Sequence, residues 1–286
     1  MIAYLTEPFQ YSYMINAIWI SALVGAVCAF LSAFLMLRGW SLIGDALSHA
    51  VVPGVAGAYI LGLPFAIGAF ISGGLAAGAM LFLNSRTKLR QDAIIGLVFT
   101  SFFGLGLFMA SLSPSAVNIQ TIALGNILAI SPTDTIQMVL IAGTSLIVLT
   151  LIWRDLMVVF FDESHARTIG LKPDRLKLIF FAILAGSTVA ALQTVGAFLV
   201  VAIVIIPGAT AYLLTDRFSH LLIWSTLIGA FTCGFGAYLS YFTNGATGGV
   251  IVLLQGSVFA LTFFFAPKYG LAAARRRVAK IHAETS

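Results

Sequence analysis

Apolar residues run along the chain in blocks too long and too uniform for the one-sided patterning of a soluble helix, and polar residues gather in short clusters between them. Crossing the hydrocarbon of a bilayer takes about 20 helical residues. Cutting the chain at its charges and at its Pro, Gly and Asn clusters gives pieces near that length: residues 14–37, 41–61, 64–84, 93–112, 133–153, 221–242 and 250–265. Residues 178–214 exceed one span and carry a polar break at Gln193-Thr194-Val195-Gly196, which predicts two helices or one broken helix. The pattern predicts an all-α, polytopic integral membrane bundle of about eight to nine transmembrane helices, a single domain over residues 1–286. Residues 113–131, with Pro114, Asn118, Gln120 and Asn126, are too polar to face lipid and are expected to form an external loop with room for a short helix.

Composition removes the soluble alternatives. Of 286 residues, 60% are hydrophobic and 9% charged, against roughly a quarter charged in a soluble domain. The net charge of +5 is not spread over a surface. It collects at Arg86, Lys88 and Arg90, across residues 154–177, and in the tail from Lys268 to Lys280. That is loop charge of the positive-inside kind and not a nucleic-acid footprint. With the basic loops in the cytoplasm, nine crossings place the N-terminus outside and the C-terminus inside; a re-entrant 41–61 segment would make eight. The first 13 residues lack a basic start and a cleavage site, so a mature N-terminus is expected. Cys28 and Cys233 lie singly in apolar runs and are expected in the core. Small residues four apart, Gly74 with Gly78, Gly54 with Ala58 and Gly229 with Cys233, predict close helix crossings.

Two segments carry chemistry. Between Arg38 and Gly54, Asp45 and His49 stand four apart, so on a helix their carboxylate and imidazole share a face, with Ser48 beside them. That donor pair suits manganese, iron(II) or zinc, whereas magnesium and calcium prefer oxygen alone and copper(I) prefers sulfur. Pro53 cannot donate to the His49 carbonyl, which predicts a kink with that carbonyl open. The plainer alternative has Asp45 bordering the helix end near the headgroups and His49 bonded to a neighbouring helix. The second segment, Asp162-Glu163-Ser164-His165-Ala166-Arg167-Thr168-Ile169-Gly170, reads as a short amphipathic helix, acidic at its start and stopped near Gly170, or else as a solvated connector. The sequence contains no Gly-x-x-x-x-Gly-Lys phosphate loop, no His-Glu-x-x-His pair and no Gly-x-Ser-x-Gly elbow. A catalytic role has no support, and any ATP-driven work requires a separate ATPase.

These residues together resemble the membrane permeases of bacterial ABC importers for manganese, iron and zinc, most of all the manganese and chelated-iron branch. The resemblance rests on Gly44-Asp45-Ala46-Leu47-Ser48-His49-Ala50 with Pro53-Gly54, on the Asp162-to-Gly170 segment, and on Val195-Gly196 through Ile206-Pro207-Gly208-Ala209. It implies a multi-pass protein of the bacterial inner membrane that pairs with a second copy or a sister permease. It further implies a cytoplasmic ATPase dimer beneath, a solute-binding protein docking outside, and no permanently bound cofactor. Asp45 and His49, with Ser48 as a further candidate, would line the path of the metal in transit. Residues 154–177 would be the cytoplasmic coupling loop, with Asp162, Glu163, Ala166 and Gly170 engaging the ATPase. A rival reading is a secondary transporter in which Asp45 and His49 relay protons. An intramembrane enzyme fares worse, because one Asp and one His supply neither a full metal shell nor a nucleophile with its base.

Overall fold

The computed structural model describes residues 6–112 and 132–266, and among these every regular element is a helix. A single 3-10 turn, Glu7–Gln10, leads into α1 (Ser12–Arg38). Then follow α2 (Ser41–Ala50), α3 (Val52–Leu61), α4 (Phe65–Arg86), α5 (Gln91–Leu112), α6 (Pro132–Phe161) and the short α7 (Glu163–Thr168). The chain closes with α8 (Pro173–Val195), α9 (Ala197–Leu214), α10 (Phe218–Thr243) and α11 (Thr247–Phe265). Seven of these helices are long and apolar enough to cross a membrane. The α2–α3 pair and the shorter α9 bring the crossings among the described residues to nine. The outward faces are apolar, with Trp19, Leu151, Leu253 and Phe265 among the most exposed side chains, as lipid requires and water would not tolerate. The expected external loop, 113–131, and the basic tail lie outside the described residues.

α1 is the axle of the bundle, buried almost continuously from Val24 to Leu35. Its crossing with α10 is set by missing side chains: a Cβ on Gly25 would lie 2.6 Å from the Gly229 carbonyl oxygen and 2.5 Å from Cys233 Sγ. The predicted Gly229–Cys233 pair therefore does pack, as does Gly54 with Ala58, which meets Gly68 of α4. Gly74 and Gly78 do not; a Cβ at either would meet nothing within 4 Å, so they face outward.

Polar side chains in the apolar interior repair helix backbone. Pro207 sits inside α9 and cannot donate to the turn before it. Ser32 of α1 serves that region: its hydroxyl donates to the Ile205 carbonyl and accepts from the Gly208 amide, both at 3.1 Å. A Cβ on Gly208 would fall 2.8 Å from the Ser32 carbonyl oxygen, so the close approach requires glycine there. Ser225 likewise donates to the Ala29 carbonyl at 2.5 Å. Ser32→Ala removes both of these bonds between α1 and α9 and is expected to cost about 1 kcal/mol or more, read as a lowered unfolding temperature of the purified protein in detergent.

Two boundaries differ from the sequence expectation. The second span is not one kinked helix but two ten-residue helices meeting at Val51. Pro53 stands in the first turn of α3, where no amide donor is needed, and Val51 N–H faces the His49 carbonyl that was expected to stay open. The Ala50 carbonyl, orphaned by the break, is taken by the Ser72 hydroxyl of α4 at 2.6 Å. The second difference is at 154–177, which is mostly not loop. α6 has 30 residues, about 45 Å at 1.5 Å per residue, and so runs well past the hydrocarbon to Phe161. Only 162–172 separates the long helices, with α7 within it. The break near Gln193 falls at Gly196, whose φ of 84° and ψ of 162° part α8 from α9.

Arg38, the α4–α5 turn, α7 and the start of α10 meet at one end, tied by Phe34 against Phe160, Phe180 and Phe218 at ring distances of 5.8, 5.8 and 5.0 Å. The positive-inside rule makes this basic end cytoplasmic. Phe9, Tyr11, Tyr238 and Tyr241 gather at the opposite end, in the manner of an interfacial aromatic belt.

Candidate functional site

α2 begins two residues beyond the glycine that closes α1, Gly39, at φ 68°. At ten residues it is about 15 Å long, half the hydrocarbon thickness of about 30 Å. The break at Val51 therefore sits near mid-membrane, with His49 within a turn of it. Asp45 Oδ1 lies 3.5 Å from His49 Nε2. That spacing is open enough for both atoms to reach one cation at about 2.1 Å. The His49 side chain is 16% exposed and the Asp45 side chain 41%. The imidazole stands edge-on to Phe99 and Phe103 of α5, at 5.5 and 5.4 Å, and those two rings stack on each other. Gly44 allows α2 against Val204 of α9, whose Cγ1 would lie 2.8 Å from an added Cβ.

Ser48 does not join the pair. It is fully buried, and its hydroxyl donates to the Asp45 main-chain carbonyl at 2.7 Å. Among the described residues no group of three or more His, Cys, Asp or Glu could hold a metal. Asp45 and His49 thus stand as one oxygen and one nitrogen donor side by side.

At the basic end, Asp162 caps α7, its carboxylate accepting from the amides of Ser164 and His165 at 2.9 and 3.0 Å. Glu163 is a hub: it accepts from Arg167 one turn on at 2.9 Å and from Lys177 of α8, and faces Arg38 of α1 at 3.9 Å. Burial pushes the Glu163 carboxyl up, but the hydrogen bonds from Lys177 and Arg167 outweigh it and hold the group below the usual carboxylate range. The stabilisation this confers is complete above the ordinary carboxylate pKa and fades only as pH falls through the depressed value. Ala166 is fully buried against the bundle, so it seats α7 and offers no outward surface. Gly170 ends the segment at φ 87°, with Leu171 N–H returning to the Ala166 carbonyl at 3.0 Å. Phe99, Phe103, Arg38 and Lys177 were not singled out from sequence. The signal for the two phenylalanines was their spacing of four on α5; Lys177 had been counted as loop charge.

Over residues 10–266 the chain matches the family model described as ABC 3 transport family. The chain belongs to the ABC 3 transport family. It is similar to the chelated iron transport system membrane protein YfeC of Yersinia pestis, 62% identical over 97% of this chain and 94% of that one. It also resembles the manganese transport system membrane protein MntB of Synechocystis, 47% identical over 94% of this chain and 88% of that one. Among solved structures it is similar to PsaBC from Streptococcus pneumoniae in complex with Fab, at 35% identity and a TM-score of 0.83, covering 94% of this chain and 98% of that one. The manganese and iron branch, read from Gly44–Ala50 with Pro53-Gly54, from Asp162 to Gly170 and from Val195-Gly196 through Pro207-Gly208-Ala209, is thus the right one. This ABC 3 permease is a multi-pass inner-membrane transport subunit whose relatives are membrane components of metal ABC transporters, not enzymes.

Proposed function

We propose that this permease imports manganese or iron(II), with zinc a less favoured third, in an ABC assembly of two permeases, a cytoplasmic ATPase dimer and an external solute-binding protein. The observation that carries the reading is the Asp45–His49 pair on half-helix α2, a carboxylate and an imidazole turned toward one point near mid-membrane. A carboxylate 41% exposed on the surface of one chain is not stable against lipid. It faces water or a second permease, which supports a path between two such chains that completes the metal's shell. The residues 1–286 form one permease domain in this reading.

Coupling is assigned to α7 and its flanks. Asp162 and Glu163 fix its start, Ala166 seats it and Gly170 turns the chain away, while Ser164, His165, Thr168 and Ile169 remain on the cytoplasmic face. Ile169, 54% exposed, gives that face an apolar contact for an ATPase groove. The test is uptake of radiolabelled Mn2+ or Fe2+ into proteoliposomes holding the assembly. Import is expected only with ATP and a catalytically intact ATPase. Import driven by a proton gradient without ATP would favour the proton-relay alternative, which nothing in the comparisons supports.

A further inference from the structure

Resting on the coupling assignment for α7, we propose that Arg38 is the positioning residue that ties α7 to α2, so that a displacement of α7 is delivered to the helix bearing Asp45 and His49. The connection is short and made of stiff parts. Arg38 is the last residue of α1, and Gly39 and Trp40 alone separate it from α2. Trp40 precedes the first turn of α2, its amide returning to the Leu35 carbonyl at 2.8 Å and its carbonyl accepting from Ile43 at 3.2 Å. The Arg38 guanidinium lies over the Trp40 indole, 5.6 Å from the ring centre, and reaches Glu163 at 3.9 Å. Its Nε is buried with no hydrogen-bond partner. The side chain is thus held by one carboxylate and one ring, one on each of the two elements it would join.

Glu163 moves with α7, because Asp162 caps that helix and Arg167 braces it. Arg167 and Lys177 hold Glu163 by close hydrogen bonds and Arg38 faces the same carboxylate at 3.9 Å, so one carboxylate joins α7, α8 and the end of α1. On the far side, Trp40 packs edge-on against Phe160 at 5.3 Å and against Phe181 at 5.6 Å. It also lines a small cavity with Ile43, Met80, Ile94, Ile95 and Phe181. Interiors are close-packed and resist displacement, so the small, partly open cleft beside the first turn of α2 is where that end can shift with least disturbance of other side chains. The plainer role, a basic residue closing α1 against its dipole, explains the charge of Arg38 but not its placement between Glu163 and Trp40.

The experiment uses the complete assembly in proteoliposomes, with Leu42→Cys on α2 as reporter; Leu42 is exposed, while the native Cys28 and Cys233 are buried. Labelling by a water-soluble maleimide is compared with and without ATP plus vanadate. With Arg38 present, nucleotide is expected to change the labelling rate about tenfold. In Arg38→Gln that response should vanish and maximal uptake fall about tenfold, with KM for metal and ATPase retention unchanged, and Arg38→Lys should restore most of both. Nucleotide-dependent labelling and normal uptake in Arg38→Gln would overturn the relay alone. Thermal destabilisation that matches the loss of uptake, unrelieved in Arg38→Lys, would also overturn it, making Arg38 structural. No nucleotide response even with Arg38 in place would remove the coupling assignment and the relay together.

Discussion

Uptake of Mn2+ or Fe2+ by the assembled transporter is expected to collapse when Asp45 is replaced by Asn or His49 by Ala, with insertion and partner assembly intact. Loss of a residue that merely orients a metal ligand already costs about 10–100-fold in affinity or activity, so loss of one of two donors should cost about 100-fold or more. Asp45→Asn keeps the volume and removes the charge that attracts the cation. His49→Ala removes the nitrogen donor that stands edge-on to Phe99 and Phe103. Neither change touches the buried contacts of α2 made by Ile43, Leu47 and Ser48, so the fold should survive. Initial uptake rates against metal concentration, normalised to protein recovered in the membrane, check this. Undiminished uptake in both variants would return the pair to a role in helix packing alone.

Gly170→Val is expected to separate transport from the ATPase while sparing insertion. A Cβ at Gly170 would meet nothing within 4 Å, so space is not the constraint. The backbone is: at φ 87°, a residue other than glycine is strained by about 1–2 kcal/mol, and a β-branched one by more. The chain relieves that strain by rerouting the exit from α7, which shifts Thr168 and Ile169 out of register with their partner. Gly170→Asn, which tolerates the left-handed region, should keep most of the uptake. Co-purification of the ATPase and uptake should fall together in the valine variant. A Gly170→Val complex with its ATPase bound and full metal transport would show that coupling enters elsewhere.

The number and order of the spans were legible because lipid demands uninterrupted apolar helix, and nothing else in this chain looks like that. What sequence could not locate were boundaries set by tertiary contacts. Arg154 and Asp155 look like loop residues, yet α6 carries them past the membrane because Phe160 has Trp40 and Phe180 to pack on. Pro53 signalled a disturbance in the second span, but a proline serves equally as a kink or as a helix start; Ser72, 22 residues away, takes the carbonyl that makes a clean break possible. The nearness of Asp45 and His49 was legible because helical spacing alone puts them together. Ser48 was misjudged for the same reason: adjacency on a helical wheel does not say whether a hydroxyl turns outward or folds back on its own backbone. The Glu163 cluster joins α1, α7 and α8, and no local pattern foretells contacts across so much chain.

A span built as two half-helices divides its packing between different neighbours. α3 is clamped: Gly54 and Gly68 meet backbone to backbone, and Gly106 of α5 leaves no room beside Pro53, whose amide nitrogen would lie 2.9 Å from an added Cβ. α2 is held by other neighbours, with Gly44 close against Val204 of α9 and the Ala50 carbonyl at its end taken by Ser72 of α4. With the Ala50 carbonyl taken, the two halves meet at Val51 without turning that group toward hydrocarbon. A span interrupted there would otherwise leave a bare carbonyl among lipid tails, where no water can reach it.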